Sequence, residues 1–139
     1  MERAKTILLV GDYQTEWPAV ERALGALSIA DRVLHLPEIS DALDYLTDCE
    51  GGEPSVVVLR LNGAVDQMLD LLKTVKADKR LQGIPVVTLA PSDEVRLVNE
   101  SFALGAAGYM VERTDPAEFA EAIRMIHDYW SLSELPRHR

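Results

Sequence analysis

The chain has 139 residues, 47% of them hydrophobic, and acidic side chains outnumber basic ones to give a net charge of −9. That length is one ordinary domain with a sizeable core, the composition argues against disorder, and the acidic balance disfavours nucleic acid and anionic membranes as partners. No run approaches a membrane span, the first residues lead into a strand rather than a signal peptide, and the single cysteine, Cys49, excludes an internal disulfide or a thiolate metal cage. A soluble cytoplasmic domain is expected, with Cys49 as filler at a helix end.

In chain order, Ile7-Leu8-Leu9-Val10 reads as a buried strand that runs into Gly11-Asp12. Thr15 is placed to cap a helix that tolerates Pro18 in its first turn and turns Val20, Leu24 and Leu27 to one face. Arg32 to Leu36 is a short strand closed by Pro37. A second helix from about Ser40, with Leu43 and Leu46 inward, stops near Gly51-Gly52. Ser55 to Leu59 is rich in β-branched residues and too short for a lone helix, so it is the third strand, and Arg60 ends it. Val65 to Ala77 carries a helical period through Met68, Leu69, Leu72 and Val75. Ile84 to Leu89 is the fourth strand, with Pro85 tolerated at its start. Ser92 is expected to cap a fourth helix that bears Val95, Val98 and Phe102 and ends at Gly105.

Gly108 to Val111 is the fifth strand and runs into Glu112. Asp115-Pro116-Ala117-Glu118 then supplies an N-cap, a first-turn proline and an acid placed for a capping box. Phe119, Ile123, Ile126 and Trp130 form the inward stripe of that last helix. Five strands alternate with five helices, with no internal repeat and no linker. The pattern predicts an α/β domain in three layers, a parallel sheet covered on both faces. Residues 1–130 form the domain and 131–139 a C-terminal extension.

Charged residues end three of the five strands. A guanidinium at a strand end cannot lose its charge and must find a carboxylate, an anion or water, so Arg60 is expected to meet Asp12, Glu112 or both in one site. Met68 and Met110 read as core filler. His35, His127 and His138 share no spacing with acids or cysteine, which argues against a metal site. The chain has no glycine-rich dinucleotide fingerprint and no P-loop, so no cofactor is expected.

Four landmarks in order and spacing carry a resemblance: Ile7 to Asp12, Pro54 to Leu61, Ile84 to Ala90, and Gly105 to Glu112. The chain resembles the CheY-like receiver domain of two-component response regulators, over almost its whole length. The resemblance implies the doubly wound, flavodoxin-like (βα)5 fold with sheet order 2-1-3-4-5. In that family the first strand ends in two acids, the third in the phospho-accepting aspartate, the fourth in Thr or Ser, and the fifth in Lys-Pro. Here Gly11 replaces one acid and leaves Asp12 alone, Arg60 replaces the acceptor, Ala90 the hydroxyl, Glu112 the lysine and Arg113 the proline.

These departures imply a degenerate pseudo-receiver with no catalytic residue and no metal. An acyl phosphate needs a carboxylate nucleophile, an oxygen-held Mg²⁺ and donors for the phosphoryl oxygens. Tyr109 falls where the family's aromatic ring swings inward on activation, and Ala90 leaves it room. The tail from Ile126 through Leu135-Pro136 resembles that of small single-domain regulators associated with phytochromes, which makes Tyr129, Trp130 and Leu132 interface candidates. The leading expectation is a non-enzymatic docking module that meets a protein partner, a sensor kinase or a downstream signalling protein, and pairs as a homodimer. The alternatives are a small-anion sensor built on Arg60, and a receiver phosphorylated at another residue, for which Asp66 stands too far from the strand end. An exposed, unpaired Arg60 favours the sensor; an Arg60 held by Asp12 and Glu112 favours a locked pocket.

Overall fold

Unbroken apolar runs become the inner strands, and stripes of helical period become the layers that cover them. A computed structural model describes residues 6–13, 15–48 and 54–132, the last two by backbone alone. In chain order the elements are β1 (Ile7–Val10), α1 (Trp17–Ala26), β2 (Val33–Leu36), α2 (Ile39–Thr47), β3 (Val56–Arg60), α3 (Val65–Ala77), β4 (Val86–Ala90), α4 (Val95–Ala103), β5 (Gly108–Val111) and α5 (Pro116–Leu132). All strand pairings are parallel and the sheet order is β2-β1-β3-β4-β5, the receiver (βα)5 arrangement. β1 and β4 are buried throughout, and β3 up to Arg60, whereas the edge strands β2 and β5 are only half-buried. That contrast is what a parallel sheet with both faces covered produces.

Alternation along the strands divides the core in two. Leu8, Val10, Val57 and Leu59 pack with Leu46 of α2 and with Met68 and Leu72 of α3. Ile7, Leu9, Val56 and Val58 pack on the other face with Val20 and Leu24 of α1 and with Phe119 and Ile123 of α5. Leu72 and Ile123 are fully buried, each contributing about 1.5–3 kcal/mol relative to exposure. No helix among the described residues is long and apolar enough to cross a membrane.

Helix ends depart from expectation in two places. α1 starts after Glu16 rather than Thr15, without a side-chain cap bond, and its first turn closes through the Trp17 N–H to the Tyr13 carbonyl at 2.6 Å. Leu27 lies at its C-cap, half-buried beside Val20 and Leu24. α4 starts after Glu94 rather than Ser92. Of the apolar residues that the helix bears, Val95 is 71% and Phe102 49% exposed and Val98 is half-buried, and the buried positions are Leu97 and Ser101. Both sets repeat at helical spacing, and the packing surface beneath the helix selects the second. Its C-terminus follows expectation. Gly105 has φ +106°, and the N–H groups of Gly105 and Ala106 reach back to the carbonyls of Phe102 and Ser101, a Schellman closure that the left-handed glycine makes possible.

α5 is capped as expected, with Asp115 Oδ2 accepting from the Glu118 N–H at 3.0 Å. The helix continues unbroken past residue 130 to Leu132. Cys49, the Gly51-Gly52 stop and residues 133–139 lie outside the described residues.

Candidate functional site

Strand register brings the charged ends together. Val10 stands opposite Leu36 and Leu59, Arg60 opposite Leu89, and Ala90 opposite Val111, so Gly11, Asp12, Arg60, Ala90 and Glu112 all reach one edge of the sheet. The Glu112 N–H donates to the carbonyl of the fully buried Ala90 at 2.7 Å, which fixes the start of the segment carrying the Glu112 carboxylate.

Arg60 is held on every side. Nε donates to Glu112 Oε1 and Oε2 at 3.1 and 3.2 Å, and Nη2 to Glu112 Oε2 at 2.9 Å. The same Nη2 meets Glu16 Oε2 at 3.1 Å. Asp12 contributes its main-chain carbonyl, which accepts from Nη1. The Arg60 and Glu112 side chains are 11% and 9% exposed, whereas that of Glu16 is 51% exposed. The guanidinium also lies over the Tyr13 ring, 4.1 Å from its centroid, a cation–π contact worth up to about 2 kcal/mol when desolvated. The Tyr13 hydroxyl donates to Glu112 Oε1 at 3.0 Å.

The electrostatics follow from this packing. Burial disfavours the tyrosinate form of Tyr13, and the adjacent Glu112 charge disfavours it further; the Arg60 charge opposes both, and the net effect raises the phenol well above its ordinary value. For Arg60 burial acts downward, but the hydrogen bonds and charge of Glu112 outweigh it and the guanidinium is held more firmly protonated. Gly11 fits the same arrangement. Its φ is +146°, and a Cβ there would stand 2.6 Å from the Arg60 Cβ, so position 11 has neither the backbone conformation nor the space for a side chain.

Tyr13, Glu16 and His35 are the members that strand patterns did not single out. Tyr13 is buried between Phe119 and His35, both at edge-to-face angles. His35, from β2, stacks on Trp17 at 4.2 Å, and its Nε2 lies 2.8 Å from the Gly11 carbonyl. A carbonyl only accepts, so that contact requires the proton on Nε2. The only advance signal for Tyr13 and Glu16 is their position in the loop that follows a charged strand end.

A cavity of about 350 Å³ adjoins the site, bounded by Arg60, Glu16 and Tyr13 on one side and by Val20, Phe119 and the 113–116 segment on the other. Among the described residues no group of three or more His, Cys, Asp or Glu side chains is placed to hold a metal ion. Tyr109 is half-buried on β5, and its hydroxyl donates to the Ser92 carbonyl at 2.7 Å. Tyr129 is exposed and meets Trp130 edge to face at 4.7 Å, and Trp130 packs partly against the α1–α5 side of the core. Leu132 is the last residue of α5.

No protein-family model matches the chain. The probable methanogenesis regulatory protein FilR2 of Methanothrix harundinacea (strain 6Ac) is 28% identical over 127 residues, 89% of this chain and 82% of that protein. Among solved structures, the bacteriophytochrome response regulator RtBRR superposes with a TM-score of 0.70 at 31% identity, covering 96% of this chain and 85% of its own. The bacteriophytochrome response regulator AtBRR gives a TM-score of 0.68 at 32% identity, covering 88% and 92%.

Proposed function

Since the chain belongs to the response-regulator receiver family of two-component signalling, we propose that it signals by docking, without phosphoryl transfer, and that Arg60 is the cause. By alignment of landmarks, Arg60 ends the strand whose last residue in that family is the phospho-accepting aspartate. Gly11, Ala90 and Glu112 stand for an acid, a hydroxyl and a lysine. A guanidinium has no nucleophilic oxygen, and its permanent charge repels Mg²⁺ from the place where the metal would bind. The observation that carries this reading is the largely buried Arg60–Glu112 pair, with Nε and Nη2 both on one carboxylate. The pocket neutralises itself from within.

That arrangement favours a locked pocket over a sensor of bare inorganic anions, because Nε, Nη1 and Nη2 of Arg60 already bind protein oxygens. Asp66, the alternative acceptor, is exposed in the first turn of α3, beyond the strand end. Acetyl phosphate with Mg²⁺ should therefore leave the intact mass unchanged. A single added phosphoryl group that hydroxylamine removes overturns the reading.

Docking in this reading uses the surface around β5. Val95 and Phe102 of α4, Val111 of β5, and Met125 and Tyr129 of α5 are the large apolar side chains left exposed among the described residues. Tyr109 lies within that surface, its hydroxyl donating to the carbonyl of the exposed Ser92. We assign the surface to a second copy of the chain, since two-fold pairing is the commonest closed arrangement.

A further inference from the structure

Two cationic side chains border the cavity of about 350 Å³, and they are engaged differently. Arg60 is held on its inner side by the largely buried Glu112 and on its outer side by the half-exposed Glu16. Glu16 sits at the N-cap of α1 without a side-chain cap bond, so its release strands no helix donor, and an ion pair so exposed contributes little. Arg113 is exposed and has no ion-pair or hydrogen-bond partner among the described residues; the Thr114 hydroxyl next to it is likewise unengaged. The remaining wall is apolar, formed by Tyr13, Val20 and Phe119, which are buried, and by the half-buried Pro116.

These features select a ligand. An inorganic anion that displaced Glu16 from Arg60 would exchange one charge contact for another and gain nothing from Val20 or Phe119. A carboxylate carrying an apolar body makes the same exchange, meets the same Arg113 and Thr114 donors as an inorganic anion would, and in addition removes its body from water against that wall. The volume lies at the lower end of the roughly 300–1,000 Å³ typical of ligand sites, which suits a single ring or a short branched chain and excludes a nucleotide.

We propose that this cavity binds a small monocarboxylate with an aromatic or branched aliphatic body, its carboxylate taking the place of Glu16 on Arg60. The site gives the domain a small-molecule input that does not depend on the docking reading. Failure of one would be seen in ligand titrations and of the other in phosphodonor mass spectra.

Benzoate and 3-methylbutanoate, titrated into the intact chain and followed by amide shifts in NMR, should give saturable changes at Glu16, Arg113 and Thr114. Acetate and inorganic phosphate should bind at least about tenfold more weakly. Arg113→Gln should weaken benzoate by about tenfold, the scale of one charge-assisted contact. Glu16→Gln should strengthen it several-fold by removing the competing carboxylate. Both positions are exposed, so the variants keep the fold, which the unperturbed remainder of each spectrum checks. Phosphate binding as tightly as benzoate, no saturable shift in the millimolar range, or an Arg113→Gln variant with unchanged affinity overturns the assignment.

Discussion

Glu112 accepts from both Arg60 and Tyr13 while its side chain is 9% exposed, so removing the guanidinium strands a buried carboxylate. Arg60→Met is expected to cost about 3–5 kcal/mol in urea unfolding at neutral pH. Adding Glu112→Leu should recover most of that loss, and strictly additive effects would mean that the two side chains do not communicate. Tyr13 supplies a pH dependence of definite sign. Its folded-state value is raised above the ordinary 10.0, so above that pH the unfolded chain releases the phenolic proton first. The contribution of Tyr13 is complete below pH 10.0 and falls as pH rises further. The stability gap between the native chain and Tyr13→Phe should therefore narrow from pH 9 towards about pH 11, as denaturant titrations would measure. Arg60 and Glu112 were legible because strand ends can be read from apolar runs, and parallel register carries them to one edge. Tyr13 and Glu16 were not, because loop conformation leaves no period in the sequence.

At the scale of an element, α4 carries two overlapping stripes. Val95, Val98 and Phe102 repeat at helical spacing, yet the buried positions are Leu97 and Ser101, with Val98 half-buried. Periodicity identifies an amphipathic helix, but it does not say which of two apolar stripes meets the sheet. The distinction is measurable. Leu97→Ala should cost about 2–3 kcal/mol of stability, whereas Phe102→Ala, at a position 49% exposed, should stay within about 0.5 kcal/mol. The start of α5 was legible for the opposite reason. The Asp-Pro pair names its own role, and Asp115→Ala, which removes the acceptor for the Glu118 N–H, should cost about 1 kcal/mol in the same measurement.

For the whole molecule, sheet order was legible only through family resemblance, since alternating strands and helices permit several doubly wound orders. The order matters because it leaves β5 at an edge, with α4 and α5 beside it carrying four of the five exposed large apolar side chains. If that surface joins two copies, light scattering should give a concentration-dependent dimer mass. Phe102→Glu combined with Met125→Glu should then give a folded monomer that melts at the temperature of the dissociated native chain, because both side chains face water in a single copy. A native chain that stays monomeric across the micromolar range would remove the dimer. The net charge of −9 adds a second handle: screening by salt should strengthen the pairing of two acidic copies.

Descent from this pocket to an acid-lined one has no easy first step. An aspartate at position 11 would bring its Cβ within 2.6 Å of the Arg60 Cβ and force a left-handed backbone on a residue that resists it. Shortening residue 60 does not help, since every side chain there retains that Cβ. Arg60→Asp alone would set a new carboxylate beside Glu16 and Glu112 with the cation gone, and Glu112→Lys alone would face one cation with another. Each single substitution is expected to destabilise the fold. The charges of this pocket can therefore change sign only through paired substitutions, because each single step leaves a charge without its counter-ion or a side chain without room.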